Sequence, residues 1–181
     1  MKLKKLQNNY QRSDGMIDKL SADILRKHKG ISFVGVTTCF ICHDGNGNIF
    51  MAKRSQNARD EHGTWDVGGG GLKWGVTAKE NVIREVEEEY GTTPKDVEFL
   101  GYRDVFRTLN DNTSTHWLAL DFIVLVNRDQ VKINEPEMFD DFGWFTLNDL
   151  PSPLHSQLHH TFENNKDKLK IILKLDKGRK C

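Results

Sequence analysis

Three features predict an α/β sandwich built on a mixed β-sheet. Residues 31–43 and 49–54 form β-branched and aromatic runs joined by the turn-forming Asp44-Gly45-Asn46-Gly47-Asn48. Residues 77–90 carry a helix with signals at both ends. Further strand-like runs then lead to a closing helical segment. A hairpin followed by helix, strands and helix must bury both faces of its sheet, which is the layered α/β solution.

In chain order, residues 1–30 are polar and punctuated by Ser13-Asp14-Gly15, with helical spacing of Met16, Ile17, Leu20, Ile24 and Leu25 up to Gly30. They read as an N-terminal helical extension. The main domain is expected over 31–175, followed by a basic tail at 176–181. Asn and Gly at 44–48 tolerate positive φ, so the chain turns back there into the second strand. A polar loop leads to Trp65-Asp66-Val67 and four glycines, Gly68 to Gly71, read as a flexible loop. Strands are expected over 97–106, 115–126 and 143–146, and one last helix over 156–175.

Composition narrows the function classes. With 26 basic and 26 acidic side chains in 181 residues, the chain lacks the net basic charge of proteins that track a nucleic-acid backbone. A small phosphorylated ligand needs only a local cluster and stays open. The basic N-terminus, Met1 to Lys5, is followed by no apolar stretch, and residues 118–126 are too short for a membrane helix. A cytoplasmic protein with no membrane partner is expected. Cys39 and Cys42 form a C-x-x-C inside a strand-like run, where residues three apart face opposite sides, so they should not share a metal. His155 and His159 lie in a polar segment and read as surface groups.

The helix at 77–90 concentrates the chemistry. Thr77 and Glu80 have the spacing of a capping box, and Gly91 stands at the left-handed C-cap position. At 100° per residue, Glu85, Glu88 and Glu89 share an arc of roughly 100°, beside an apolar face of Ala78, Val82, Ile83, Val86 and Tyr90. A solvated acidic face would explain three such carboxylates, and so would a site for a hard divalent cation. The glycine run just before the helix, which lets backbone N–H groups approach a phosphate, favours the cation site.

Residues 70–92 resemble the Nudix box, G-x5-E-x7-R-E-U-x-E-E-x-G-U, where U is aliphatic. Gly70 matches the first glycine, and Arg84-Glu85-Val86-Glu87-Glu88-Glu89-Tyr90-Gly91 matches the whole R-E-U-x-E-E-x-G core. Trp65-Asp66-Val67, Asn134-Glu135-Pro136-Glu137 and Gly143-Trp144-Phe145 resemble flanking parts of the family, so the likeness spans about residues 31–150. Val76 replaces the box glutamate, Thr92 the closing aliphatic residue, and Gly68 a common proline.

The resemblance implies a Nudix-type α/β/α sandwich and a hydrolase of diphosphate linkages in nucleotide derivatives. It implies Mg²⁺ or Mn²⁺ held by Glu85, Glu88 and Glu89, with Arg84 orienting a carboxylate. A general base would come from the helix (Glu88 or Glu89) or from a later loop, where Glu137 and Glu135 precede Asp140 and Asp141 as candidates. Gly69 and Gly70 would approach the substrate phosphates through backbone. Arg54, with Lys53, is a candidate phosphate contact; Trp65 and Trp117 would either stack on a base or sit in the core. A homodimer is implied by the family alone. The alternative is a catalytically weakened nucleotide-binding or sensor module, for which Val76 is the one signal.

Overall fold

In the computed structural model, residues 22–109 and 111–175 are described. The predicted helical residues Met16, Ile17 and Leu20 and the tail 176–181 lie outside them.

The strands are β1 (Gly35–His43), β2 (Asn48–Arg54), β3 (Trp65–Asp66), β4 (Gly68–Gly71), β5 (Asp96–Thr108), β6 (Ser114–Leu125) and β7 (Phe139–Thr146). The helices are α1 (Ala22–His28), α2 (Ala78–Tyr90), α3 (Leu158–Asn164) and α4 (Lys166–Ile172). The seven-stranded sheet runs β3-β2-β1-β6-β5, with β4 on β1 and β7 on β2. β1 and β6 are parallel and the other pairings antiparallel, so the sheet is mixed as the sequence predicts.

The β1–β2 turn is closed by Asp44. Its Oδ1 accepts from the Asn46 and Asn48 N–H groups at 2.8 and 3.2 Å, while Gly45 and Gly47 take φ of 78° and 93°.

Strand parity splits the core in two. Phe40, Cys42, Phe50, Phe122 and Val124 face α2 and pack on Val82, Val86 and Tyr90. Ile41, Ile49, Met51 and Ile123 face the other way, onto Leu158, Leu169 and Leu173 of the C-terminal helical region. Helices cover both faces, and the molecule is an α/β/α sandwich. Cys42 lies in the first core and both thiols are free. Among the described residues no helix is long and apolar enough to cross a membrane.

Three expectations need correction. The glycine run is the strand β4, paired antiparallel with β1 from Thr37↔Gly71 to Phe40↔Gly68. Glycine is normally poor in strands, and here close packing selects it: a Cβ on Gly68 would enter the Phe40 ring. The closing helix is broken at Asn165, a buried residue whose side-chain amide bonds back to the Thr161 carbonyl at 2.9 Å. Boundaries also move: β1 starts at Gly35 rather than Ile31, because residues 29–33 form a tight turn, and β7 starts at Phe139 rather than Gly143.

Candidate active site

Helix α2 is fixed at both ends as its sequence requires. Thr77 Oγ1 accepts from the Glu80 N–H at 3.2 Å, and Glu80 Oε2 accepts from the Thr77 N–H at 2.8 Å. Gly91 closes the helix at φ 55°, ψ 24°. A buried polar contact sets its rotation: the Asn81 amide donates to Thr38 Oγ1 of β1 at 2.9 Å. Val82, Val86 and Tyr90 then enter the core, and the carboxylate stripe turns toward β4.

β4 acts as a wall without side chains. A Cβ on Gly70 would stand 2.6 Å from both Glu85 carboxylate oxygens, so only glycine lets that carboxylate lie against the strand. The Gly69 N–H donates to the Glu89 carboxylate. Glu89 Oε2 is buried and has no hydrogen-bond partner. Burial, then Glu85, Glu135 and Asp66, push the Glu89 carboxyl well above its ordinary value. Burial and Glu88 also raise Glu85, against the pull of Arg84.

Arg84 organises the stripe. It donates to Glu85 Oε1 at 2.7 Å, to Asn81 Oδ1 at 2.7 Å and to Glu88 Oε1 at 3.3 Å, while Lys73 Nζ lies 3.8 Å from Glu88. Glu87, read from the helical wheel as lying off the stripe, is exposed and meets Thr93 instead.

The segment after β6 closes over the C-terminal end of α2. The Lys132 and Asn134 N–H groups donate to the Tyr90 and Glu89 carbonyls at 3.1 and 2.9 Å. This brings Glu135 to the stripe, where burial, Glu137, Glu85 and Glu88 raise its carboxyl. Glu137 is exposed one step further out, and its main-chain carbonyl accepts from Ser55 Oγ at 2.6 Å. Asp140 and Asp141 are exposed on β7.

Among the described residues no three acidic, histidine or cysteine side chains surround a single point that an ion would occupy, since Arg84 stands between Glu85 and Glu88. The donors still fit a hard divalent cation. They are all carboxylate oxygens, and the enclosed Glu89 Oε2 lacks the partner that such an ion would supply.

Two expected substrate contacts are otherwise engaged. Trp65 is buried in the second core, edge-on to Phe145 at 5.1 Å, and its ring is not open to a base. Arg54 donates to Asp60 Oδ1 at 3.0 Å and Asp66 Oδ2 at 3.4 Å, so its guanidinium serves an internal network instead of an open phosphate site.

The sequence reading missed that network. Arg107 joins Asp60 at 3.0 Å and Glu61 at 2.7 Å. His155, expected on the surface, is buried with Nε2 3.4 Å from Glu61. Spacing carries no trace of it, because its members come from β2, β3, β5, the 55–64 loop and the segment before α3.

A family model, the NUDIX domain, matches residues 34–165. The RNA pyrophosphohydrolase of Acinetobacter baylyi is 25% identical over 118 residues, covering 58% of this chain and 68% of that protein. The MutT NUDIX hydrolase of Burkholderia pseudomallei superposes with a TM-score of 0.64 at 27% identity, over 73% of this chain and 98% of that one. The NUDIX domain of Shewanella oneidensis NrtR, solved with ADP ribose, has a TM-score of 0.61 over 83% of this chain and 99% of that one; at 18% identity that likeness shows the fold alone.

Proposed function

From the premise that this chain belongs to the NUDIX domain family, we propose that it is a metal-dependent hydrolase cleaving a diphosphate linkage in a small nucleotide derivative. The observation that carries the reading is Glu89. A carboxylate with a buried, unpartnered oxygen, set against two others and a glycine wall, is costly unless a cation completes it.

Glu85, Glu88 and Glu89 would hold Mg²⁺ or Mn²⁺. When bound, such an ion neutralises the diphosphate and acidifies an attacking water. Arg84 aligns Glu85 and Glu88 through charged hydrogen bonds. Gly69 and Gly70 of β4 would present the phosphates with backbone that carries no side chain. Glu135, closer to the stripe than Glu137, is the better placed general base, and burial with the neighbouring Glu137, Glu85 and Glu88 raises its carboxyl above the ordinary value. Positioning and electrostatics supply most of the rate, since little covalent work falls to the protein. The neutral overall charge suits small nucleotide-derived substrates, and three cysteines suit a cytoplasmic setting. A homodimer belongs to this reading as well, to be checked by light scattering.

The test is a hydrolysis panel of nucleoside triphosphates, ADP-ribose, dinucleoside polyphosphates and 5′-triphosphorylated RNA, with Mg²⁺ and with Mn²⁺. Turnover that EDTA abolishes and added metal restores is expected. A second reading, a nucleotide-binding or sensor module, draws on Val76, which follows Gly75 (φ 83°) and puts an exposed apolar side chain where the box has an acid. Binding without turnover across the panel would favour it.

A further inference from the structure

The two sides of β4 differ in charge. Successive residues of a strand point to opposite faces. The Cβ direction of Gly70 meets the Glu85 carboxylate, while that of Gly71 meets Lys29 Nζ at 3.3 Å. Adjacent α-carbons are about 3.8 Å apart, so an anionic and a cationic group stand back to back across one strand. β4 hydrogen-bonds only to β1 among the described strands, and on its outer edge Gly69 meets the Glu89 carboxylate.

Lys29 lies between α1 and β1, before the residues that match the family. Its Nζ donates to the Leu72 carbonyl at 3.1 Å and stands 5.8 Å from the centre of the Trp117 ring. The Arg59 guanidinium stands 5.5 Å from the same ring, with its side chain 70% exposed. Gly30 and Gly35 pack their backbones on Trp117, so the ring is held between the turn after α1 and the sheet.

The arginines around the site are matched to carboxylates: Arg84 to Glu85 and Glu88, Arg54, Arg107 and, at 3.5 Å, the exposed Arg59 to Asp60, and Arg103 to Asp121. Lys29 is half-buried and, among the described residues, has no carboxylate within ion-pair distance. Burial lowers its affinity for the proton. An ammonium has three N–H donors, and the Leu72 carbonyl takes one. A half-buried ammonium with donors to spare can take an anion as partner.

We infer that Lys29, with Arg59 and the Trp117 ring that orients them, binds the phosphate of the nucleotide half of the substrate. The inference rests on the hydrolase reading for its ligand class. The metal-side carboxylates would then grip the linkage to be cleaved, and Lys29 and Arg59 would grip the phosphate at its nucleotide end. In this role Lys29 is a specificity residue provided by sequence outside the matched domain.

The test is calorimetric titration of the full chain in Mg²⁺ with AMP, GMP, CMP and UMP, and with the corresponding nucleosides. These monophosphates contain no diphosphate linkage, so binding is read apart from turnover. For the tightest nucleotide, Lys29→Met should weaken binding about tenfold, the worth of one charged hydrogen bond. Lys29→Arg should bind nearly as the parent does, and the nucleoside should be unaffected by either change. Arg59→Gln, at an exposed position that does not endanger folding, should cost about threefold.

Equal affinity of the parent and Lys29→Met at matched melting temperature overturns the inference, as does failure of the parent to bind any of the four nucleotides. If Lys29→Met does not fold, an Arg59→Gln protein that binds like the parent overturns it. A failed hydrolysis panel beside Lys29-dependent binding discards the enzyme and keeps the subsite. Turnover beside Lys29-independent binding does the reverse.

Discussion

Two groups of carboxylates lie near β3 and β4 and are treated in opposite ways. Asp60 and Glu61 sit among Arg54, Arg107 and His155. Burial pushes their carboxyls up, but Arg59, Arg107 and Arg54 around Asp60, and the Ser156 donors with Arg107 around Glu61, outweigh it and hold both below their ordinary values. Glu85, Glu89 and Glu135 sit among other carboxylates, and burial with repulsion from those neighbours, Glu88 in the case of Glu85, raises all three. The first group is balanced by the protein and ties loops to strands. The second has Arg84 on Glu85 and Glu88 but, among the described residues, no partner for Glu89 Oε2, which is the feature the metal proposal rests on.

Glu89→Gln should break this contrast most severely. It keeps the side chain's size and removes the charge, so turnover should fall about a thousandfold or more in steady-state assays, with the melting temperature unchanged or raised. Glu87→Gln, on the exposed side, should stay within about twofold of the parent. Equal losses at the two positions would undo the assigned face.

Gly70→Ala comes next. Its Cβ would collide with Glu85, and displacement by an ångström or so costs about a hundredfold in rate. Circular dichroism should show the fold retained.

Arg107→Met acts on the balanced group. It strands Asp60 and Glu61 in a partly exposed network and should cost about 1–3 kcal/mol in urea unfolding, leaving turnover per folded molecule near normal. A large loss of turnover at unchanged stability would show that the network belongs to the active site.

The same network predicts the acid response. A carboxylate whose folded pKa is depressed stabilises the fold above its unfolded value, and that stability is lost as pH falls through the folded value. For Glu61 the loss begins below the ordinary value of 4.5. The melting temperature of Glu61→Gln should therefore fall less steeply than the parent's over that acid range. Parallel curves would deny Glu61 its role.

The smallest effect is expected at Val76. Restoring the box acid with Val76→Glu should lower the Mg²⁺ concentration for half-maximal turnover by a few-fold, about the worth of one added carboxylate near a cation. An unchanged metal dependence would mean that the other carboxylates already suffice.

Local signals were legible without coordinates wherever the interaction partners are near in sequence. The Thr77–Glu80 box, the Gly91 cap, the Asp44–Asn48 turn and the shared arc of Glu85, Glu88 and Glu89 each depend on residues within a turn or two, and the α/β sandwich follows from their order. What only the tertiary structure decided involves distant partners. The four glycines form a strand because β1, Phe40 and Glu85 press on them. Trp65 belongs to the core and His155 to an ion-pair network because Phe145 and Glu61 arrive from far along the chain. Lys29 meets β4 because the turn after α1 brings its ammonium to the Leu72 carbonyl and the Trp117 ring. Periodicity and capping report the short-range terms of the folding energy. Which side chains are desolvated, and which charges then lack a partner, depends on packing between elements that no local pattern encodes.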